Sequence, residues 1–305
     1  MGATTSFSLS FIFTLILTPF VIKYSHRKKL LDYPKEDSIH TKPVPMTGGL
    51  VIFSVFFVFS FMFRAVSNLI PLFLASLLLI LSGLYDDRKG LNAVQKILIQ
   101  TIASAILIAF GIAITRVSIP FGPSLEISRL SAPVTMIWLI FMINLVNLLD
   151  GLDGLAAGLC SIVLAVTFFI TNPSAFSIQL AALIGSLMAF LIFNFHPAKI
   201  FLGNSGSSFL GLAIGYFSMA TSQKSTVIPI LIVPLCILIV HVLDVAYAIF
   251  RRARSGFTIF KGDRGHIHHL VFNSLKNHRV TVLSFYLISL LLAVFVLKIY
   301  LPTAP

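Results

Sequence analysis

The segment NLVNLLDGLDGL, residues 144–155, carries the side-chain pattern of this chain that most strongly suggests chemistry. Its amide and carboxylate side chains recur at every third position: Asn144, Asn147, Asp150 and Asp153. This spacing keeps successive groups within about 60° of each other on a helix, so it predicts one polar stripe. The two glycines of the segment permit unwinding or the close approach of a ligand. Because such a stripe is costly at the end of an apolar span, we interpret it as functional.

Two adjacent acids, Asp86 and Asp87, stand in the sequence YDDRKG, residues 85–90. Adjacent carboxylates repel each other, which raises a pKa unless a cation or metal neutralises them. Mg²⁺ prefers oxygen ligands and often bridges carboxylates to substrate phosphates, so the pair suggests a metal site. A helix end closed by solvated charges is the alternative, and these residues alone leave both interpretations open.

Two further segments carry groups that suit anions. Residues 32–49 place His40 and Lys42 before a flexible glycine pair, although a basic loop is also a topology signal. Residues 196–211 contain glycines and serines that suit a turn leading into a helix N-terminus, which is a ready anion site. Close helix packing through small residues is the alternative for the second segment.

A fifth segment, residues 251–270, concentrates cations and histidines. Its sequence is RRARSGFTIFKGDRGHIHHL, and its charged and imidazole groups near the end are Asp263, Arg264, His266, His268 and His269. Zinc binding is tempting, but His-x-His-His lacks a second ligand group at a familiar spacing. Phosphate contacts or proton transfer suit these residue types better.

The composition places all five segments in a membrane protein. The 305-residue chain is 57% hydrophobic and 10% charged, whereas soluble domains carry roughly 25% charged residues. A formal net charge of +12 would suggest nucleic acid binding in a soluble protein, but here the basic residues fall between apolar runs. Cys160 and Cys236 lie in apolar segments without CxxC spacing, so no disulfide or metal site follows.

The apolar runs predict an all-α polytopic membrane fold in a single domain, residues 1–305, since about 20 apolar residues cross a bilayer. We expect ten spans, near residues 6–23, 47–63, 69–85, 96–114, 133–149, 155–171, 177–195, 207–221, 226–250 and 281–300. The segment 115–131 alternates apolar and polar residues around Phe-Gly-Pro-Ser, which predicts a short β-hairpin outside the membrane.

The distribution of basic residues predicts the orientation of these spans. Of the 22 Lys and Arg residues, 17 fall in loops after odd-numbered spans and 5 on the opposite side. The positive-inside rule therefore places the odd loops in the cytoplasm and both termini outside. Eight of the ten acidic residues lie on the same side, so we expect the cytoplasmic loops to form the functional site.

In this order, the five segments resemble the polyprenyl-phosphate N-acetylhexosamine-1-phosphate transferases, which move a sugar 1-phosphate from a UDP-sugar to a lipid phosphate. The resemblance extends from about residue 32 to 270 and rests on DDR, NxxNxxDGxDGL, a GxSGS-like turn and DRxHIHH in series. The HIHH form is similar to the branch that makes lipid-linked GlcNAc, and less similar to the peptidoglycan branch. The resemblance implies an enzyme of the bacterial plasma membrane that releases UMP at a cytoplasmic active site.

The same resemblance implies roles for individual residues. Asp86 and Asp87 match an aspartate pair that binds the metal diphosphate or activates the lipid phosphate, and Asp150 matches a proposed catalytic aspartate. Asp153 matches a neighbour of the nucleobase, and Lys42 lies near a nucleotide-binding lysine. The family also has a loop that holds the donor, and the histidines of that loop are among its catalytic groups. The residues of this chain that match the loop are Arg264, His266, His268 and His269.

The resemblance also implies Mg²⁺, with Mn²⁺ as a substitute, held by Asn147 and by an aspartate in the turn. Here that turn position is Asn204, whose amide oxygen can bind Mg²⁺ but carries no charge. Either the chain is an inactivated variant, or metal binding depends more on Asp150 and Asp86. The sequence leaves both options open.

Two other functions remain open at this point. A silent relative that binds nucleotide-sugar or lipid would account for Asn204. A transporter or proton channel would use ionisable groups deep in the membrane, where we expect only His241 and Asp244. The partners expected for the enzyme are a UDP-sugar, a polyprenyl phosphate and the membrane, with no nucleic acid and with a homodimer left open.

Overall fold

A computed structural model describes residues 2–34, 41–63, 69–118, 124–171, 176–222, 229–254, 271–272 and 274–300. Within these ranges the chain is almost entirely helical. The helices are α1 Ala3–Lys28, α2 Gly48–Met62, α3 Leu69–Lys89, α4 Ala93–Ala109, α5 Ser131–Leu149, α6 Leu155–Ile170, α7 Ser177–Asn194, α8 Gly203–Ser222, α9 Pro229–Ile237, α10 Ile239–Arg254 and α11 His278–Tyr300.

The helices confirm a polytopic all-α fold, while the number of membrane crossings stays a prediction. Among the described residues, α1, α3, α5, α7 and α11 are long and apolar enough to cross a membrane, and α2, α4 and α6 are shorter apolar helices. Every predicted span overlaps a helix, but the ninth, residues 226–250, is divided between α9 and α10. At the division, the His241 N–H bonds to the carbonyl of Leu238, a 3₁₀-type contact that interrupts the α-helical ladder.

Two small antiparallel sheets lie in the loops. Strands β1, Leu31–Asp32, and β2, Val44–Pro45, close the first loop before α2. Strands β3, Arg116–Ser118, and β4, Ser124–Glu126, pair inside the segment for which the sequence predicts a hairpin. Its turn, residues 119–123, lies outside the described residues, so the complete hairpin stays a prediction.

Glycines bring the first turn of α8 against α2 and α3. A Cβ atom on Gly49 would collide with the backbone of Gly206, and one on Gly83 would collide with the backbone of Ser205. Gly48 and Gly49 are buried in the first turn of α2, so the expectation that this glycine pair is flexible is wrong. These close approaches place the start of α8 beside the end of α3, where the paired acids lie.

Candidate active site

The predicted polar stripe is divided between a helix and a loop. α5 ends just before Asp150, so Asn144 and Asn147 lie on the helix while Asp153 lies in the following turn. The expectation of one helical stripe is therefore wrong. Gly154 has a φ of +82°, a left-handed conformation that favours glycine and allows the chain to enter α6. Asn147 and Asp153 consequently belong to two different clusters.

The first cluster, which we call the amide cluster, consists of Asp87, Asn147 and Asn204. The backbone N–H and Nδ2 of Asn204 both donate to Asp87 Oδ1, at 3.0 and 2.8 Å. The Oδ1 of Asn204 accepts from Asn147 Nδ2 at 2.8 Å. Because an ionised carboxylate can only accept, these contacts fix the orientation of the Asn204 amide. One neutral side chain thus connects α3, α5 and α8.

The sequence predicts an anion site at the turn before α8. In the structure, this turn donates a hydrogen bond to a carboxylate of the protein itself, that of Asp87. α8 begins at Gly203, and the N–H of Asn204 in its first turn points at Asp87. Gly203 has a φ of +73°, and a Cβ atom there would lie 2.6 Å from the carbonyl oxygen of Met46. It would also lie 2.8 Å from Asp87 Oδ2, so only glycine allows this approach.

The second carboxylate oxygen of Asp87 is the unusual atom of this cluster. Asp87 Oδ2 is buried and has no hydrogen-bond partner among the described residues. A buried polar atom without a partner is costly and requires an explanation. Asn147 donates its Nδ2 to Asn204 and to Ser207, and within the described part of the chain its Oδ1 is left for another ligand. Oxygen atoms of this type are the ligands that Mg²⁺ prefers, so the residues present fit this cation.

The neighbouring acid, Asp86, has a different environment. Its Oδ1 accepts the Leu91 N–H at 2.7 Å, and its Oδ2 pairs with Lys96 Nζ at 2.6 Å. The side chain is only 8% exposed. Both oxygens of Asp86 are therefore occupied, and its charge is neutralised by a cation from α4.

Asp150 lies at the end of α5 and is partly buried. Burial, together with the negative charges of Asp87 and Asp153, raises the pKa of this carboxyl to about 7. Asp150 can therefore take up or release a proton near neutral pH. A carboxyl whose pKa lies near neutral pH is suited to proton transfer.

The second cluster, which we call the histidine cluster, consists of Asp153, His196 and His278. Asp153 Oδ2 bonds to His196 Nδ1 at 2.7 Å and accepts the Ala198 N–H at 3.1 Å. The Nε2 of His278 lies 3.3 Å from the backbone oxygen of Asp153. The two imidazole rings are stacked 4.1 Å apart at an interplanar angle of 14°.

The histidine cluster is better suited to fixing a loop than to binding a metal, although one ligand atom from each residue lies within 4.8 Å of the others. Imidazole lone pairs lie in the ring planes, and stacked, nearly parallel rings cannot both point at one ion. Two further contacts also fix this loop. Asn194 Oδ1 accepts the Gly154 N–H at 3.1 Å, and the hydroxyl of Tyr286 donates to the Gly154 carbonyl. The loop of residues 150–154 is therefore attached to α7 and α11.

The predicted site residue Lys42 belongs to neither cluster. Lys42 is exposed, just before β2. The donor-loop residues lie outside the described residues, and their roles stay predictions: Asp263, Arg264, His266, His268 and His269.

Several residues of the site carry no clear signal in the sequence. Lys96 and Gln100 contact Asp86 and Asn144 only because α4 packs beside α3 and α5. His196 stands in a segment already singled out by its glycines, so its position beside a candidate turn was a usable hint. His278 is 125 residues away from Asp153 along the chain, and nothing in the sequence links the two.

Comparisons with known proteins match the part of the chain that contains these residues. The model of glycosyl transferase family 4 matches residues 69–222, a range that includes the amide cluster, Asp86, Asp150 and Asp153. A probable undecaprenyl-phosphate N-acetylglucosaminyl 1-phosphate transferase of Bacillus subtilis is 33% identical over 296 residues, covering 95% of this chain and 82% of that protein. A decaprenyl-phosphate N-acetylglucosaminephosphotransferase of Mycobacterium tuberculosis is 32% identical, covering 90% and 77%. A phospho-N-acetylmuramoyl-pentapeptide-transferase of Halalkalibacterium halodurans is also 32% identical, covering 96% and 95%.

Proposed function

The chain belongs to glycosyl transferase family 4, and we propose that it transfers a HexNAc-1-phosphate from a UDP-sugar to a polyprenyl phosphate. GlcNAc-1-phosphate is the group named for two of the relatives compared above. In this reaction an oxygen of the lipid phosphate bonds to the β-phosphorus of the donor. The bond between that phosphorus and UMP breaks, and UMP leaves. The observation that most supports this proposal is that Asp87 Oδ2 has no hydrogen-bond partner among the described residues and that Asp87 interacts with a carboxyl whose pKa is about 7.

The proposal assigns the cation to the amide cluster. Asp87 Oδ2 and Asn147 Oδ1 would hold Mg²⁺, with Mn²⁺ as a substitute. Mg²⁺ supplies neutralisation of the diphosphate charge, which is the main requirement of phosphoryl transfer. Because Asn204 keeps Asp87 and Asn147 together through hydrogen bonds, its lack of charge does not by itself indicate an inactivated protein.

The side chains around the cation have complementary tasks in this scheme. Asp150 would receive the proton of the acceptor phosphate, whose second pKa of about 6 lies close to that of this carboxyl. The histidine cluster would fix the loop that carries Asp150. Direct displacement by the lipid phosphate requires no covalent enzyme intermediate, and it is the route we propose.

We also propose that the site faces the cytoplasm and that both termini lie outside, because 17 of the 22 basic residues fall on the side of the site. The transporter alternative has little support, since both clusters lie at helix ends. A homodimer stays a prediction.

A transfer assay tests the proposed function. Purified protein is given polyprenyl phosphate, Mg²⁺ and each of a panel of labelled UDP-sugars, and lipid-linked label is measured. We expect product with UDP-GlcNAc and a rate about 10²- to 10³-fold lower in Asp87→Asn. Binding of UDP-sugar without turnover across the whole panel would instead identify a silent relative.

A further inference from the structure

The last two turns of α1 carry three exposed cations. Lys23, Arg27 and Lys28 are all exposed, and we call them the α1 basic patch. Lys29, the next residue along the chain, lines the same cavity as Asp87. The α1 basic patch therefore lies on the side of the molecule that carries the amide cluster.

The α1 basic patch continues the exposed apolar face of α1, a helix long and apolar enough to cross a membrane. Phe20 is 67% exposed and Tyr24 is 55% exposed, as expected for large side chains that face lipid. Phe20, Tyr24 and Lys28 follow one another at intervals of four residues, and Lys23 and Arg27 have the same spacing. Residues three and four apart are neighbours on a helix surface, so the cations extend this apolar face.

The positions of the cations along the helix axis match the headgroup layer of a bilayer. At a rise of 1.5 Å per residue, Lys23 lies about 5 Å and Lys28 about 12 Å beyond Phe20. The headgroup layer adds roughly 5 to 8 Å to each side of the hydrocarbon core. Tyr24, between them, is of a residue type enriched at this depth. With Phe20 at the edge of the hydrocarbon, the cations therefore reach the level of the lipid phosphates.

Among the residues that the structure describes, no ion pair neutralises the α1 basic patch. The ion pairs of these residues lie elsewhere: Lys96 with Asp86, Arg116 with Glu126 and His196 with Asp153. The backbone that carries the cations is held in place, because the hydroxyl of Ser25 bonds to that of Thr47 at 2.8 Å and the Ser25 carbonyl accepts the Leu30 N–H at 2.9 Å. The patch is thus a fixed group of positive charges without a described counterion.

We propose that the α1 basic patch binds the phosphodiester headgroups of anionic phospholipids, such as phosphatidylglycerol, in the leaflet on the side of the site. Each Lys or Arg near a membrane surface strengthens the attraction to such lipids about fivefold. Under the proposed orientation this leaflet is the cytoplasmic one. None of the three side chains lines the cavity beside Asp87, so this contact is separate from the transfer reaction.

A second copy of the chain is the other occupant that an exposed helix face could have. A symmetric contact between two copies uses the same surface on both, so it would place Arg27 and Lys28 close to their own counterparts. Like charges that face each other across an interface oppose association. Charge complementarity therefore favours an anionic headgroup.

Native mass spectrometry of the full-length protein in detergent tests this assignment. The probes are phosphatidylglycerol and phosphatidylcholine with the same acyl chains, and the variant is Arg27→Gln/Lys28→Gln. The matched control is Arg129→Gln/Lys298→Gln, which also removes one exposed Arg and one exposed Lys. Arg129 precedes α5 and Lys298 lies in the last turn of α11, at the ends of these helices that are far from the site.

We expect the wild type to bind phosphatidylglycerol more tightly than phosphatidylcholine. The patch variant should raise the Kd of phosphatidylglycerol about 25-fold, the product of two fivefold effects, while the control variant binds it like the wild type. The Kd of phosphatidylcholine should stay unchanged in both variants, which also shows that they fold. Phosphatidylglycerol should raise the melting temperature of the wild type more than that of the patch variant, since a ligand of the folded state stabilises it.

Unchanged phosphatidylglycerol affinity in the patch variant would overturn the assignment. Equal weakening in the patch and control variants would do the same, because net charge and not the patch would then attract the lipid. A changed oligomeric state with unaltered lipid binding would give this face to a second copy and refute the lipid. These measurements do not depend on turnover: a protein that binds phosphatidylglycerol through the patch but transfers no sugar would keep the patch and refute the proposed function. Sugar transfer by a protein without this lipid preference would do the reverse.

Discussion

The amide cluster and the histidine cluster each contain one aspartate, Asp87 and Asp153, but the two carboxylates have different contacts. In the amide cluster, Asp87 has one oxygen bonded to Asn204 and one buried oxygen with no partner in the described structure. In the histidine cluster, Asp153 is bonded to an imidazole and a backbone N–H, and its own backbone oxygen contacts a second imidazole. An acid left partly unpaired is available to a ligand, whereas an acid bonded on several sides holds the fold. We therefore assign binding to the first cluster and support to the second.

The largest effect is expected from Asp87→Asn. This change removes the charge at the unpaired oxygen, so we expect kcat/KM to fall about 10²- to 10³-fold, as for loss of a key electrostatic contact in an active site. Thermal stability should be kept, because a neutral amide no longer has to bury an unpaired charge. Steady-state kinetics and thermal unfolding measure both effects. Asp86→Asn should instead lower thermal stability, because it leaves Lys96 without its carboxylate partner. Equal stabilities of the two variants would contradict the different environments assigned to Asp86 and Asp87.

The second-largest effect is expected from Asn204→Asp. A carboxylate at this position can no longer donate to Asp87 and would repel it, so we expect a lower melting temperature without divalent cation. The added charge should strengthen Mg²⁺ binding about 10- to 100-fold, the size of effect seen when groups around a metal are altered. Thermal unfolding across a Mg²⁺ titration measures both the melting temperature without cation and the strength of Mg²⁺ binding. A variant as stable as the wild type without cation would show that the amide bridge does not hold the cluster together.

The third effect is a pH dependence that Asp150 should produce. Because the pKa of this carboxyl is raised to about 7, it is protonated below that pH and cannot accept a proton. The transfer rate should therefore fall about tenfold per pH unit below 7 and level off above it. A bound cation favours the charged form, so added Mg²⁺ should shift the midpoint to lower pH. Asp150→Asn should abolish this fall of the transfer rate at low pH. If the pH–rate profile of the variant keeps the fall, another group is responsible for the titration.

The smallest effect on chemistry is expected in the histidine cluster. His196→Ala removes one hydrogen bond to Asp153 and the ring stacked on His278, so stability should fall by about 1 to 3 kcal/mol. The transfer rate should fall only a few fold, since no group of this cluster touches the reacting atoms in our proposal. His26→Ala, at an exposed position on α1, is the control in the same assays. A loss of activity as large as that of Asp87→Asn would mean that this cluster takes part directly.

The sequence was sufficient for the helical architecture and for three of the segments that meet in the described structure, residues 85–90, 144–155 and 196–211, because apolar runs and dense polar patterns are local signals. It could not distinguish Asp86 from Asp87. That difference arises from Lys96 on α4 and Asn204 on α8, which reach the pair only after the helices pack. The single helical stripe was wrong for a local reason, since the helix ends at Asp150 and the glycines that follow allow the chain to turn.

The role of the Asn204 side chain depends on the residues that it contacts. By type alone, an amide in place of a carboxylate suggests a weakened metal site. In the fold it does what a carboxylate cannot, because it donates to Asp87 and accepts from Asn147 at the same time. That reciprocal role depends on contacts between three helices, and no pattern of spacing in the chain contains it.

Titration with Mn²⁺, followed by electron paramagnetic resonance, tests the difference between the two clusters most directly. The wild type, Asp87→Asn and Asp153→Asn are compared in detergent at one protein concentration. We predict that Asp87→Asn loses the bound-Mn²⁺ signal while Asp153→Asn keeps it. Retention of binding by Asp87→Asn together with its loss in Asp153→Asn would contradict the assignment of binding to the amide cluster.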